Sequence, residues 1–352
     1  MKNSIPMFTF FLLLNTICYA QDITQKIDSI VQEVHLKYPE VGISLGFIQN
    51  DQEFYTAYGK NHKESTVDIN KNSVFEIASI TKLVTANLLA QAVLENKIKL
   101  EDYIDDYLPE VYVLQDAIKN KIKISDLASH QSGLEDLDFG KLIAANSQQP
   151  IDGVTQEDIS AIINNCTELI DYGSYRYSTI GYVLLGDILE KVYGKSYDQI
   201  ITEKLITPYQ LTNTLTKEFD VPNLTKGYNQ DGGEQEFFNW HTTAPAGLLK
   251  SSTADMVTFL KAILNNKTKA GKAAQLCETT YYNKDDRQLG LGTNILIDIQ
   301  NTIYAKTGDS MGQSSILCYN RGKNWGIVIF ITQRNFKIRS ELFNGIYEVV
   351  LK

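Results

Sequence analysis

The chain has 352 residues, 43% of them hydrophobic and 21% charged, with a formal net charge of −9 at pH 7. That length and composition suit a globular protein with a sizeable core, built as one large domain or two of medium size. The acidic balance, with no run of Lys or Arg, excludes the electrostatic footprint of a nucleic-acid binder.

Met1-Lys2-Asn3 gives a short positive start, and Met7 to Leu14 an apolar run. Cys18-Tyr19-Ala20 then places small residues at −3 and −1 before Gln21. This pattern predicts a secretory signal peptide over residues 1–20, cleaved after Ala20, and hence a periplasmic or secreted protein. A membrane anchor needs about 18 or more apolar residues, so this run is too short, and no later segment is long enough to span. Bulky Ile17 argues against lipoprotein processing at Cys18.

Beyond the leader, Ile23, Ile27, Ile30, Val31 and Val34 recur at helical spacing. Val41 to Ile48 and Glu53 to Tyr58 read as paired strands around an Asn50-Asp51 turn. Helical patterns dominate the middle: Ile80 to Glu95, Gly181 to Tyr193 and Ala254 to Leu264. Strand patterns return at Ile295 to Ile299, Thr302 to Lys306, Ser314 to Tyr319 and Trp325 to Thr332. The near-continuous apolar run Ile327 to Ile331 predicts a central strand covered on both faces. Leu342, Phe343, Ile346, Tyr347, Val349 and Val350 predict a closing helix. The expected fold class is α+β: an antiparallel sheet flanked by terminal helices, with a large, mainly helical region inserted. Residues 21–352 form a single domain in this reading, with a sheet part (21–75 plus 285–352) and a helical part (76–284).

Cysteine and histidine usage is uninformative for metals. Cys166, Cys277 and Cys318 remain after cleavage, without C-x-x-C spacing, and read as buried thiols. The four histidines are scattered, so neither a metal nor another cofactor is expected.

Three short motifs carry the chemistry. Ser79-Ile80-Thr81-Lys82 opens an apolar, and therefore buried, helical segment. Positions three apart share a helix face, which sets the Lys82 amine beside the Ser79 hydroxyl. A hydroxyl becomes a useful nucleophile once a base stands within hydrogen-bond reach, and a desolvated amine can serve. On composition alone, Ser79 reads equally as an N-cap and Tyr177 as one core tyrosine among 20. The order of blocks shifts that balance. FEIASITK, then LEDYIDDYLP (100–109), ISDLASHQSGL (124–134), YRYSTIGYVLLG (175–186), APAGLLKSSTADM (244–256) and YAKTGDSMG (304–312) appear in sequence. Together they resemble class C β-lactamases within the serine β-lactamase and penicillin-recognising DD-peptidase superfamily.

That resemblance implies an exported serine hydrolase, probed best by its ordered motifs over residues 40–335. It makes Ser79 the nucleophile, Lys82 its base and Tyr177 the proton shuttle, with Lys82 and Lys306 favouring the phenolate. Lys306 and Thr307 would bind a substrate carboxylate, Gly308 would admit the strand, and the Asp309 backbone N–H would be an oxyanion donor beside that of Ser79. Thr179 stands where the motif usually has Asn, leaving one short hydroxyl in place of an amide that both donates and accepts. Gly247-Leu248 replaces a frequent Gly-Gly and is expected to narrow a pocket. His130 is expected to be a scaffold residue. The implied partner is a small molecule or peptide (a β-lactam, a D-Ala-type peptide or an ester), taken up by a monomer. An esterase or amidase on the same scaffold remains an alternative, as does a penicillin-binding sensor whose acyl-enzyme does not turn over. Gly308-Asp309-Ser310-Met311-Gly312 also matches G-x-S-x-G, but strand patterns follow it and no histidine lies beyond His241. Ser310 is therefore expected in a turn between strands.

Overall fold

The two ends of the chain meet in one sheet. The computed structural model describes residues 7–217, 219–298 and 300–351, with side chains from residue 22 onward. The expected signal peptide therefore lies outside the residues whose side chains are described. Strands β1 (Ile43–Gln49) and β2 (Gln52–Tyr58) come first. After a long insertion follow β3 (Tyr282–Lys284), β4 (Arg287–Leu289), β5 (Asn294–Ile297), β6 (Thr302–Asp309), β7 (Ser314–Asn320) and β8 (Trp325–Ile331). They make an eight-stranded antiparallel sheet in the order β2-β1-β8-β7-β6-β5-β4-β3. Asn50 and Asp51 turn the first hairpin with φ of 49° and 66°. Such a left-handed pair matches the twist of the flanking strands, and Asn and Asp tolerate it best after Gly.

The principal helices are α1 (Met7–Lys37), α2 (Thr81–Leu94), α3 (Phe139–Ala145), α4 (Ile180–Tyr193), α5 (Thr253–Leu264), α6 (Lys269–Cys277) and α7 (Phe336–Leu351). Among the described residues no helix is long and apolar enough to cross a membrane. Every residue of β8 is buried, and alternation along the strand divides its side chains between two cores. Ile327, Ile329 and Ile331 face α1 and α7, joining Ile27, Val31, Leu342 and Ile346. Val328 and Phe330 face the helical insertion, joining Phe75, Leu88 and Phe259. Truncating a fully buried side chain such as Ile27 or Leu342 to Ala costs about 2–5 kcal/mol.

Helix α2 lies deep in the insertion, with almost every residue buried. Its buried amides find partners within the fold: Asn87 donates to the Ala270 carbonyl at 2.9 Å and Gln91 to the Asn87 side chain at 3.0 Å, while the Gln91 Oε1 is left without a partner among the described residues. Burying amides without such partners would cost about 1–3 kcal/mol each. The short pair Val74–Glu76 and Lys250–Ser252 leads the chain from sheet to helix, delivering residue 77 to the mouth of α2. Cys166, Cys277 and Cys318 are buried free thiols.

Candidate active site

Ser79 sits in a single 3₁₀ turn, Ala78–Ile80, that runs directly into α2. Ala78 takes a left-handed φ of 44°, an uncommon conformation for a non-glycine residue. The turn is held from both sides. The Ile77 N–H donates to the Leu249 carbonyl at 3.1 Å, and the Ser315 hydroxyl donates to the Ile77 carbonyl at 3.1 Å. Strand β6 presses against it. A Cβ on Gly308 would fall 2.1 Å from the Ile77 carbonyl oxygen and 3.0 Å from the Ser79 nitrogen. Only glycine permits that approach. β5 pairs with β6 no further than Ala305, so residues 306–309 offer an open edge to Ser79. The apolar strand pattern covered Thr302 to Lys306, and Lys306-Thr307-Gly308 was expected on a strand edge; β6 runs on to Asp309, with Thr307 and Gly308 pairing with Ile316 and Ser315 of β7.

One turn into α2, Lys82 is 1% exposed. Its Nζ lies 3.4 Å from the Ser79 Oγ and donates to the Ala246 carbonyl at 2.6 Å. Burial lowers the ammonium pKa from the usual 10.5 to about 7, against an opposing pull from the Asp136 carboxylate. An amine so placed is deprotonated in a large fraction of molecules at neutral pH, as a base must be. Tyr177 approaches from the other side, its hydroxyl 2.7 Å from the Ser79 Oγ. Its ring lies 4.9 Å from Lys82 Nζ and 4.8 Å from Lys306 Nζ. Lys306 is buried as well. Burial lowers its pKa, Tyr177 opposes that, and the charge of Lys82 adds to the lowering.

Two cavities meet at Ser79. The first, of about 370 Å³, is lined by Lys306, Thr307, Arg287, Thr293 and Asn294. The second, of about 410 Å³, runs past Lys82, Thr179, Gly247 and Asp309. All eight residues expected at the site thus gather around one hydroxyl or the strand edge beside it. Thr179 is present but contributes differently from the amide usual there. Among the described residues Lys82 bonds Ser79 and Ala246, with no bond to Thr179. Instead the backbone N–H groups of Thr179 and Ile180 donate to the two carboxylate oxygens of Asp136, at 2.7 and 2.9 Å. Leu248 is 2% exposed and turns into the core, so the expected narrowing of the pocket does not occur.

His130 packs beneath Tyr177, ring centroids 4.5 Å apart, and its Nδ1 accepts from the Ser178 N–H at 3.2 Å. Burial, then Lys306 and Lys82, hold its pKa well below the usual imidazole value. It is a neutral scaffold ring. Ser310 lies in the turn between β6 and β7, its hydroxyl accepting from the N–H groups of Gly312 and Gln313 at 3.3 and 3.0 Å. It has neither the helix nor the histidine that a nucleophile elbow requires.

Residues 25–347 match the family model described as Beta-lactamase. The chain belongs to the beta-lactamase family. Membership makes it a serine hydrolase of the acyl-transfer kind. A curated relative named Beta-lactamase, from Pseudomonas fluorescens, is 25% identical over 279 residues, covering 78% of this chain and 74% of the relative. Protein flp of Staphylococcus aureus (strain MW2) is 25% identical over 88% of this chain, but the chain spans only 63% of that protein's length. Among solved structures, the Beta-Lactamase/D-Alanine Carboxypeptidase from Pseudomonas syringae superposes with a TM-score of 0.82 at 18% identity, covering 93% of this chain and 99% of that one. Its counterpart from Yersinia pestis gives 0.80 at 22% identity, over 94% and 98%. The fold of this beta-lactamase family member is therefore shared over nearly its whole length.

Several participants escaped sequence reasoning. Asp136 follows Ser-Gly-Leu by two residues and carried no motif signal. Arg339 reaches across from α7 to grip the Asp309 carboxylate at 2.6 Å, helped by Ser314 at 2.7 Å. That carboxylate is occupied, which leaves the Asp309 backbone for the site. Arg287, in the unforeseen β3–β4 hairpin, stacks on Tyr175 at 3.9 Å and borders the first cavity.

Proposed function

We propose that the protein is an exported hydrolase that works through an acyl-enzyme on Ser79, acting on β-lactams, D-Ala-type cell-wall peptides or both. The observation that carries this is the convergence on one hydroxyl: Tyr177 at 2.7 Å and the buried Lys82 amine at 3.4 Å. In this reading Ser79 Oγ attacks the substrate carbonyl while its proton passes to the Lys82–Tyr177 pair. The N–H groups of Ser79 and Asp309 receive the negative charge that builds on the carbonyl oxygen. Collapse breaks the bond to the leaving nitrogen, which takes a proton from Tyr177. A water then attacks the ester, releasing the acid and restoring Ser79. The names of the relatives, a beta-lactamase and a D-alanine carboxypeptidase, support this pair of substrate classes. So does the cationic lining beside Lys306, which suits a substrate carboxylate.

Thr179 favours one second reading. Without the side-chain amide, an acylamino group loses a partner, and simple esters become relatively better substrates. Export rests on the leader pattern of residues 1–20. Hydrolysis of a chromogenic cephalosporin and of an N-acyl-D-Ala thioester by wild type and Ser79→Ala tests the proposal. Ser79→Ala is expected to lose at least about a thousandfold on whichever compound is turned over. An unchanged rate would sink the mechanism.

A further inference from the structure

We infer that the second cavity selects a bulky, apolar acyl group that carries no positive charge; this rests on Ser79 being the acylated residue. Ser79 and Tyr177 border both cavities, whereas Lys306 and Thr307, which suit the carboxylate of a leaving group, line only the first. The first cavity therefore receives the leaving group. The second takes the acyl side.

Its walls are Phe139, Ile143, Pro150, Ile151, Phe238 and Met311. Phe139 and Ile143 lie four residues apart on α3, so they share a face. They are 39% and 37% exposed, on a helix with no buried residue. Large apolar side chains left uncovered beside a cavity mark a place where apolar surface is meant to arrive. Continuity with Ser79 identifies the occupant as part of the substrate.

The charges of this cleft point the same way. Lys82 is engaged by Ala246, Asp136 by two backbone N–H groups, and Asp309 by Arg339 and Ser314. Neither carboxylate is free to receive a substrate cation. Arg334, which also lines this cavity, rests against the Met311 sulfur, 3.5 Å away, with no acidic partner among the described residues. It adds a positive charge to the cavity, which disfavours an amine-bearing acyl chain.

The test uses esters sharing one anionic α-hydroxy-acid leaving group and differing in the acyl part: acetyl, hexanoyl, phenylacetyl and 6-aminohexanoyl. Both kcat/KM and the Ser79 adduct mass are read. Each fully buried methylene is worth up to about fourfold. Hexanoyl and phenylacetyl are therefore expected to exceed acetyl by about tenfold or more, and 6-aminohexanoyl to fall back towards acetyl. In Phe139→Ser/Ile143→Ser, whose changes touch only exposed positions, the hexanoyl-to-acetyl ratio should shrink to about threefold or less. Equal rates across the series, a preference for 6-aminohexanoyl, or an unchanged ratio in the double variant would overturn the inference and leave the Ser79 mechanism standing. Absence of any adduct on Ser79 would overturn both.

Discussion

Replacing Lys82 with Met separates the cost of a buried amine from its use. The ammonium pKa falls from 10.5 to about 7 on folding. Between those values the unfolded chain binds more protons than the folded one, so stability rises with pH across that window. Lys82 then costs the folded state about 4 kcal/mol at pH 7 and about 2 kcal/mol at pH 9. Methionine fits the same slot without a charge. It also strands the Ala246 carbonyl, at a cost of about 1–3 kcal/mol that does not depend on pH. Lys82→Met is thus expected to be inactive and more stable than wild type by about 1–3 kcal/mol at pH 7, with the difference shrinking by about 2 kcal/mol at pH 9. His130 does not disturb this comparison, because its pKa lies well below the window. Urea unfolding followed by Trp fluorescence at both pH values measures it directly. A stability difference that stays constant from pH 7 to pH 9 would mean that the buried Lys82 amine is not destabilised as its ammonium form.

Three further outcomes follow from the same geometry. Acylation of Ser79 should rise with pH through about 7 and level off above it, because Lys82 must be unprotonated; a stopped-flow pH profile checks this. Tyr177→Phe should lower kcat by about 10²-fold or more with the unfolding midpoint little changed, since the side chain is 40% exposed; steady-state kinetics and thermal melts test both halves. Gly308→Ala drives a Cβ to 2.1 Å from the Ile77 carbonyl. It should abolish turnover and lower the melting temperature by several degrees, as circular dichroism can follow.

The sheet, its central strand and the terminal helices were legible because apolar periodicity records burial, and β8 with its unbroken apolar run is the clearest case. The short β3–β4 hairpin was not, since Tyr282–Lys284 and Arg287–Leu289 are too brief to show a period and turn on Asp285-Asp286, with φ of 52° and 57°. At the candidate site, the grouping of Ser79, Lys82, Tyr177 and Lys306 was expected from motif order, and of these only the Ser79–Lys82 spacing is set by local helix geometry. Asp136, Ala246, Arg287 and Arg339 were not. Each acts through a contact between elements far apart in the chain, and the Ala246 carbonyl that holds Lys82 belongs to the backbone, where residue identity carries no signal. Thr179 shows the reverse: the substitution was visible, but its consequence depended on Asp136 binding the backbone of residues 179 and 180.

The mechanism stands on covalent acylation of Ser79. Intact mass followed over time after mixing the mature protein with benzylpenicillin, with Ser79→Ala beside it and peptide mapping of any product, tests it most directly. The expected result is an adduct of the drug's full mass, on Ser79 and in wild type alone, whose decay releases the hydrolysed drug. An adduct on another residue, or drug hydrolysis that persists in Ser79→Ala, would contradict it; neither adduct nor hydrolysis in wild type would exclude β-lactams and leave D-Ala-type peptides and esters as the acyl donors.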